Sequence, residues 1–392
     1  MDFHNDKRPD LIIDCTHLGR HTTGLERITE ELFSAEALSL ETCSAEEVVS
    51  EERIVKEDNV IEKDNSASQE RVSLAHSSNR IQHVPGGNIG LMIMQQWFGI
   101  LIRALRHTKA IVITPGFPPS ILLSLFIGKR VIPYIHDLFL LTRTEELNFR
   151  AKYYMRPSLA FAVRHLDTFF VNSIKTKNEL IPFCKKDAEI ITYRPKVRNV
   201  FSVENNHSRY EAFELNKLKI LMIGTVEPRK NYSGAVRLFT ALRQKLGDNI
   251  ELHIVGRIGW GEDADLLQST EGIVCHGYAS SDTVKDLIAQ CSFFLSTSHD
   301  EGLGLPLLEV QYGGIAVVAS DIEVYREVLG SSGLLIDSDK VDHAVEQIIT
   351  QFSDPTWLAT AAEQSFANVI SWNQEAEKDQ HVVLQRLKGH KS

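Results

Sequence analysis

The chain has 392 residues, of which 43% are hydrophobic and 24% charged, and its formal net charge is -10. This length suggests two domains, each large enough to bury a hydrophobic core. The acidic balance argues against nucleic acid as a general partner, because neutralising phosphates requires clustered Lys and Arg.

The cysteines and the N-terminus indicate the cellular compartment. The sequence MDFHNDKRPD lacks the apolar core of a signal peptide, and no apolar run reaches the roughly 18 residues of a membrane span. The five cysteines show no C-x-x-C spacing, which favours reduced thiols over a zinc site or a disulfide framework. They are Cys15, Cys43, Cys184, Cys275 and Cys291. The sequence therefore predicts a cytoplasmic protein without a bound metal.

The chain opens with a strand, a loop and a helix. Leu11–Asp14 is a short apolar strand, the loop runs from Leu18 to Gly24, and a helix is predicted from about Leu25 to Leu38. This order begins a doubly wound α/β domain, whose ligands lie beyond the carboxyl ends of the strands. Residues 41–80 are rich in charged and small polar residues and predict an exposed insertion without a chemical role.

Two apolar stretches with basic flanks follow. Leu91–Leu105 and Phe117–Ile127 are predicted to be apolar segments, and Arg103, Arg106 and Lys129 lie at their ends. Such segments could dock on an anionic membrane surface. Helices that cover the sheet explain them equally well, and the sequence leaves both interpretations open.

A strand at Val131–Ile135 places His136 at its carboxyl end, where an open α/β sheet presents side chains to a ligand. A single histidine at a strand end is more often a hydrogen-bonded structural residue than a catalytic one. If His136 lies beside a substrate, its titration near neutral pH predicts pH-sensitive activity. The polar region from Arg194 to Asn216 reads as an interdomain linker.

The second half begins with a strand at Lys217–Ile223 and the turn GTVEPRKN, followed by a helix to about Leu246. The turn places Arg229 and Lys230 at the start of that helix. Two cations beside free helix N–H groups suit a diphosphate, with Arg as a bidentate donor and Lys as a point charge. The alternative is that both are solvated surface cations.

The stretch CSFFLSTSHDEGLGLPLLEVQYGGIAVVAS, from Cys291 to Ser320, predicts a strand, a glycine turn, a helix from Pro306 and a second strand. Leu305, in the N-cap position, has no oxygen to accept the helix N–H groups, which leaves them for an oxygen-rich ligand. Glu301 and Glu309 are predicted to face one crevice and to accept hydrogen bonds from hydroxyl groups. Otherwise Glu309 only complements the helix dipole and Glu301 is a solvated turn residue.

Three strings in the chain resemble one protein family. EGLGLPLLE resembles the EGFGLPxxE signature of the family-four retaining glycosyltransferases of the GT-B fold, with Leu303 where Phe is commoner. GTVEPRKN resembles the phosphate-binding loop of that family, with Thr225 where many members have Arg. PYIHDLFLL resembles the HDL segment of its bacterial mannosyltransferases. The resemblance spans nearly the whole chain and is strongest from Lys217 to Leu329.

The resemblance implies roles for particular residues. Glu301 would contact the donor sugar, Glu309 the ribose, and His136 a sugar hydroxyl or the departing phosphate. The implied catalytic residues are His136, Arg229, Lys230 and Glu301. The implied donor-binding residues are Gly24, Thr225, Arg229, Lys230, His276, Gly277, Tyr278, Gly302, Leu303, Gly304, Leu305 and Glu309.

The fold implied is α/β, with two Rossmann-like doubly wound domains facing each other across a cleft. Residues 1–196 would form the acceptor-side domain and residues 197–372 the nucleotide-sugar domain. A terminal helix, residues 373–392, would cross back to the first domain.

The implied reaction transfers a hexose, mannose from GDP-mannose first of all, to a glycan or lipid-linked glycan in surface polysaccharide or lipopolysaccharide synthesis. It needs no metal and would take place in the cytoplasm, where the enzyme could associate with the inner membrane surface. UDP-glucose or another NDP-hexose is the alternative donor. A catalytically silent GT-B module that binds a glycan or a partner remains a different class. An epimerase would need carboxylates that the sequence does not place.

Overall fold

The structure is a computed structural model that describes residues 11–18, 24–34, 36–38, 81–85, 89–145, 147–206, 209–211, 213–258 and 262–389. The predicted insertion at about 41–80 lies outside these ranges, and so does most of the first loop, residues 19–23.

The first sheet contains six parallel strands in the order β2-β1-β3-β4-β5-β6. Leu11 of the first strand pairs with Ile81 on one side and with Ile111 on the other. The strands are β1 Leu11–Cys15, β2 Ile81–Pro85, β3 Ile111–Thr114, β4 Val131–Ile135, β5 Thr168–Val171 and β6 Glu189–Thr192. Every residue of β1, β3, β4 and β5 is buried, as expected of parallel strands covered by helices on both faces.

The second sheet also has six parallel strands, in the order β12-β11-β10-β7-β8-β9. They are β7 Lys219–Ile223, β8 Glu251–Val255, β9 Ile273–Gly277, β10 Phe293–Ser296, β11 Ala316–Ser320 and β12 Gly333–Ile336. The predicted α/β fold with two doubly wound sheets is therefore confirmed.

Helices cover both sheets. Those of the first half are α1 Gly24–Phe33, α2 Ile89–Met94, α3 Ile100–Arg106, α4 Ile121–Ile127, α5 Phe139–Thr142, α6 Arg156–His165 and α7 Ile174–Leu180. A π-helical turn, Gln95–Gly99, joins α2 to α3, and another, Ala151–Met155, precedes α6. The later helices are α8 Tyr232–Leu246, α9 Glu262–Ser269, α10 Ser281–Gln290, α11 Leu305–Gln311, α12 Glu323–Leu329, α13 Val341–Phe352 and α14 Pro355–Gly389.

We call β1–β6 with α1–α7 the first lobe and β7–β12 with α8–α13 the second lobe; the last helix, α14, contacts both. Its Trp372 lies in a core cluster of the second lobe, whereas Val383 and Leu387 pack with Leu11 in the core of the first. The sequence pattern predicts one helix at Trp357–Val369 and a separate terminal helix from residue 373, but the structure has one helix of 35 residues. The domain boundaries at residues 196 and 372 stay predictions.

The strand order decides where ligands can bind. In the second sheet β7 and β10 are neighbours. The strands that follow β7 in the chain, β8 and β9, add to one side of this pair, and those that follow β10, β11 and β12, add to the other side. Open α/β sheets bind ligands at the carboxyl ends of such a strand pair. The turn after β7 carries Arg229 and Lys230, and the turn after β10 carries Glu301. The topology therefore brings the two predicted motifs to one edge.

Candidate active site between the lobes

A cavity of about 230 Å³ lies between the two lobes. Its lining unites many of the predicted site residues: His136 from the first lobe and Lys230, Glu301 and Gly302–Leu305 from the second. The other lining residues are Ile28, Asp137, Asn172, Ile223, Phe294, Ser296, Pro306, Leu307 and Tyr325.

Glu301 is the buried carboxylate of this cavity, with 7% of its surface exposed. It accepts hydrogen bonds from Lys230 Nζ at 2.9 Å, from Ser298 Oγ at 3.1 Å and from Arg229 Nη1. Burial alone would raise the pKa of Glu301, but the charges and hydrogen bonds of Lys230 and Arg229 outweigh it and hold the pKa below its usual value. The site is thus a carboxylate with two cations beside it.

The backbone of the turn after β7 orients Lys230. Asn231 adopts a left-handed conformation with φ 51° and caps α8 by accepting a hydrogen bond from Gly234 N at 3.0 Å. Thr297 Oγ1 donates to the carbonyl of Asn231 at 2.9 Å and so fastens this turn to the end of β10. Thr225 is exposed and lies outside the described lining of the cavity.

The glycine turn brings the second lobe against the first. At Gly302 any Cβ would collide with the carbonyl oxygen of His136, so only glycine permits this approach. Gly304, with φ +90°, is the N-cap of α11. The predicted N-cap, Leu305, is instead the first helical residue. The prediction that no side chain caps this helix is confirmed, since glycine offers none.

His136 Nε2 donates to the carbonyl of Pro115, which follows β3, at 2.6 Å. Burial lowers the pKa of His136 to about 4, which corrects the expected titration near neutral pH. The neighbouring Asp137 also lines the cavity, and burial raises its pKa. Its Oδ1 accepts a hydrogen bond from Phe139 N at 3.1 Å.

Glu309 lines an adjoining cavity of about 160 Å³, and Leu305 borders both cavities. The Glu309 carboxylate lies 2.8 Å from Arg27 Nη1 of the first lobe. Burial raises the pKa of Glu309, while the Arg27 charge opposes that shift. Gly24 is the first residue of α1, the helix that carries Arg27.

Three of the predicted donor-binding residues, which the family resemblance places beside the nucleotide base, lie elsewhere, around the end of β9. His276 Nε2 is 3.0 Å from His253 Nδ1, Gly277 has φ +64°, and Tyr278 is 84% exposed. None of the three is among the described residues that line either cavity. Their contact with a base stays a prediction.

Sequence reasoning missed several polar residues near Glu301: Asn172, Lys175, Ser298 and Asp300. Asn172 lines the cavity and donates to the carbonyl of His136 at 2.9 Å. Lys175 Nζ lies 2.7 Å from Asp300 Oδ1. A usable signal existed, because residues 172–175 directly follow the buried strand β5 and so share an edge with His136.

The described residues contain neither a cluster of metal ligands nor a helix that could span a membrane. No group of three or more His, Cys, Asp or Glu side chains in these ranges is arranged to hold a metal ion. Within the same ranges, no helix is both long enough and apolar enough to cross a bilayer. Catalysis without a metal remains a prediction.

Comparison with known proteins identifies the second lobe. Residues 203–367 match the family Glycosyl transferases group 1. The O-antigen chain mannosyltransferase B of Escherichia coli is 33% identical over 159 residues, which are 39% of this chain and 42% of that protein. The match thus spans less than half of this curated relative.

Solved structures extend the likeness to both lobes. The sucrose-phosphate synthase of Thermosynechococcus elongatus superposes with a TM-score of 0.67 at 15% identity, over 98% of this chain and 100% of that one. WaaG, a glycosyltransferase involved in lipopolysaccharide biosynthesis, superposes with a TM-score of 0.59 at 13% identity, over 95% of this chain and 99% of that one. At such identities the likeness concerns the fold. The chain therefore carries a group 1 glycosyl transferase domain in residues 203–367, within a two-lobed GT-B fold.

Proposed function

We propose that the protein transfers a hexose from a nucleotide sugar to a hydroxyl acceptor, with retention of the anomeric configuration. The observation that carries this proposal is the contact of Glu301 with Arg229 and Lys230 at the edge of the interlobe cavity. Cations in such a place suit a diphosphate, and a buried carboxylate suits the hydroxyls of a sugar.

In the proposed reaction the bond between the sugar C1 and the diphosphate oxygen breaks while C1 bonds to the acceptor oxygen on the same face. The acceptor proton goes to the departing phosphate. Arg229 and Lys230 stabilise the negative charge that develops there, which is usually the largest contribution to such catalysis. His136, neutral at pH 7, is the candidate to orient a hydroxyl or phosphate oxygen.

A two-step double displacement would need a carboxylate nucleophile, and Glu301 and Asp137 are the carboxylates among the described lining residues. Both are already engaged, Glu301 by two cations and Asp137 by Phe139 N. We therefore favour the single-step front-face reaction. Trapping a glycosyl–enzyme ester on Asp137 would contradict it.

For the donor we propose GDP-mannose, supported by the likeness to the Escherichia coli mannosyltransferase. The test is thermal unfolding with GDP-mannose, UDP-glucose and UDP-GlcNAc, with GDP and UDP as controls. A ligand at 100 times its Kd adds about 2.7 kcal/mol of stability, which a melting curve resolves. We expect GDP-mannose and GDP to raise the melting temperature, and UDP-glucose, UDP-GlcNAc and UDP to leave it unchanged. Stabilisation by a uridine nucleotide would indicate a UDP-sugar as the donor in place of GDP-mannose. An unchanged melting temperature with all five nucleotides would contradict the proposal.

A catalytically silent GT-B module is the second candidate. It predicts no hydrolysis of any nucleotide sugar and no effect of Glu301→Ala on function. The burial of Glu301 with its two cations favours the enzyme, because a charged cluster in a cleft is typical of a working site.

We further propose that the acceptor is a glycan or lipid-linked glycan of surface polysaccharide or lipopolysaccharide, and that the cytoplasmic protein works against the inner membrane surface. The support is an exposed apolar stripe along α2 and α3, defined by Leu91, Met94, Phe98, Ile102 and Leu105. Residues 81–136 include Arg103, Arg106, Lys109, Lys129 and Arg130 but no Asp or Glu. An apolar stripe with basic neighbours fits an anionic bilayer.

A further inference from the structure

Lys175 of α7 is a buried cation of the first lobe that binds the loop carrying Glu301 in the second. Its side chain is 5% exposed. Its Nζ lies 2.7 Å from Asp300 Oδ1, 3.2 Å from the carbonyl of Glu301 and 3.0 Å from Glu179 Oε1. An ammonium group has three N–H donors, so these three acceptors satisfy it. Two of the three belong to the opposite lobe.

The same helix is held to the second lobe at its start. Glu327 of α12 accepts hydrogen bonds from the backbone N–H groups of Ile174 at 2.9 Å and Lys175 at 3.1 Å. Ser173 Oγ lies 3.1 Å from the carbonyl oxygen of Gly302. The beginning of α7 is thus fastened to both α12 and the glycine turn.

These contacts act on the main chain of the loop and on the Asp300 side chain, whereas the Glu301 carboxylate is bound by residues of its own lobe. Arg229, Lys230 and Ser298 fix the carboxylate, and Lys175 fixes the carbonyl of the same residue. Lys175 is not among the described residues that line the interlobe cavity. Its influence on a substrate would therefore pass through the loop.

We infer that Lys175 is a positioning residue, which couples closure of the lobes to the placement of Glu301 and Gly302. The inference rests on the proposed function. When the lobes separate, the ammonium group leaves Asp300 and the Glu301 carbonyl, and the sugar-contacting groups lose their alignment. Binding of the nucleotide alone, through residues of the second lobe, would not need this contact.

The experiment uses the full chain and the double variant Lys175→Met with Asp300→Asn. Changing both residues avoids leaving Asp300 as a carboxylate without Lys175, a loss that by itself would destabilise the fold, while the Glu179 side chain is 33% exposed and stays solvated. We expect a wild-type melting temperature, a wild-type Kd for GDP and a kcat about 10²-fold lower, the loss typical of a misplaced catalytic geometry. X-ray scattering should show a larger radius of gyration. Lys177→Met, on the same helix, is the matched control and should match the wild type throughout.

Each other outcome has a definite meaning. Wild-type kcat in the double variant would overturn the inference, and so would a loss of GDP affinity as large as the loss of kcat, since that indicates a general structural role. If the wild type transfers sugar from none of GDP-mannose, UDP-glucose and UDP-GlcNAc, the proposed function fails instead. Scattering then still decides on Lys175, because an unchanged radius of gyration would show that it does not hold the lobes together.

Discussion

At the scale of single residues, Lys230 is the cation whose removal tests the site most directly. It touches Glu301 at 2.9 Å, and in the proposed reaction it stabilises the departing diphosphate. Lys230→Ala should lower turnover at least ~10²-fold, which corresponds to about 2.7 kcal/mol in the barrier. Initial rates with GDP-mannose measure this. Lys217→Ala, at an exposed lysine paired with Glu214, is the control. Wild-type turnover in Lys230→Ala would remove the phosphate assignment.

His136 gives a prediction for stability as a function of pH. Burial lowers its pKa from 6.5 to about 4, so between these values the unfolded chain binds a proton that the folded chain does not. Stability from this residue is therefore complete above pH 6.5 and falls as the pH falls toward 4. Asp14, with a pKa raised by burial to about 6, acts in the opposite direction.

The variant His136→Gln isolates this contribution. Between pH 7 and pH 5 its free energy of unfolding should fall by roughly 1–2 kcal/mol less than that of the wild type, from about 1.4 kcal/mol per pKa unit. Urea unfolding at a series of pH values measures the difference. Parallel curves for the two proteins would show that His136 titrates normally in the folded state.

At the scale of elements, the buried strands and the loops with recognised motifs could be predicted from the sequence. β1 opens with the apolar run Leu11–Ile13, and β4 is apolar throughout. The strands predicted at Ser292–Leu295 and Ile315–Ala319 lie within one residue of β10 and β11. β2 was missed: it is an edge strand with His83 and Pro85 in its short sequence IQHVP, which dilutes the strand pattern. The sequence does indicate a single helix for α14, because residues 356–388 contain neither Pro nor Gly.

The contacts between lobes could not be predicted in this way. Lys175 and Asp300 are 125 residues apart, and each belongs to a loop or helix start whose neighbours are set by how two sheets face each other. The hydrophobic periodicity of a single helix or strand does not indicate a contact between two such distant residues. Motifs identify the groups that meet a ligand, whereas the residues that hold those groups in place emerge only from the tertiary structure.

Trp372 of α14 should contribute strongly to stability. It is 6% exposed, and its Nε1 donates to the carbonyl of Pro195 at 3.0 Å. Trp372→Ala should cost about 3–5 kcal/mol, because it leaves a cavity and an unpaired carbonyl. Ile370→Ala, at an exposed position of the same helix, should change little. Denaturant unfolding compares the two, and equal small losses would show that α14 is not anchored through Trp372.

At the scale of the whole molecule, charge is unevenly distributed. The chain carries a net charge of -10, yet residues 81–136 contain cations and no carboxylates. The segment 149–156 lies beside the apolar stripe, since Trp97 and Tyr154 are in ring contact, and it exposes Phe149 and Tyr153. Exposed apolar side chains thus lie in a part of the first lobe, residues 81–136, whose charged residues are all cations.

This asymmetry predicts selective membrane binding. The protein should sediment with vesicles that contain phosphatidylglycerol but not with pure phosphatidylcholine, and high salt should weaken the binding by screening. Replacing Met94 and Phe98 by Ser should reduce it about 10-fold or more, because two exposed apolar side chains no longer enter the bilayer. Val382→Ser, at an exposed apolar position on α14, is the control. Equal binding by both variants would rule out this face.

The continuity of α14 also limits how such a protein can be recombined. Val383, Leu384 and Leu387 of α14 complete the core of the first lobe. If the N-terminal half alone is exchanged, the new first lobe therefore packs against α14 side chains that do not match its core. Chimaeras built to change the acceptor would have to exchange the C-terminal part of α14 together with the first lobe. Diversification by gene shuffling should therefore favour a replaced middle over a replaced beginning.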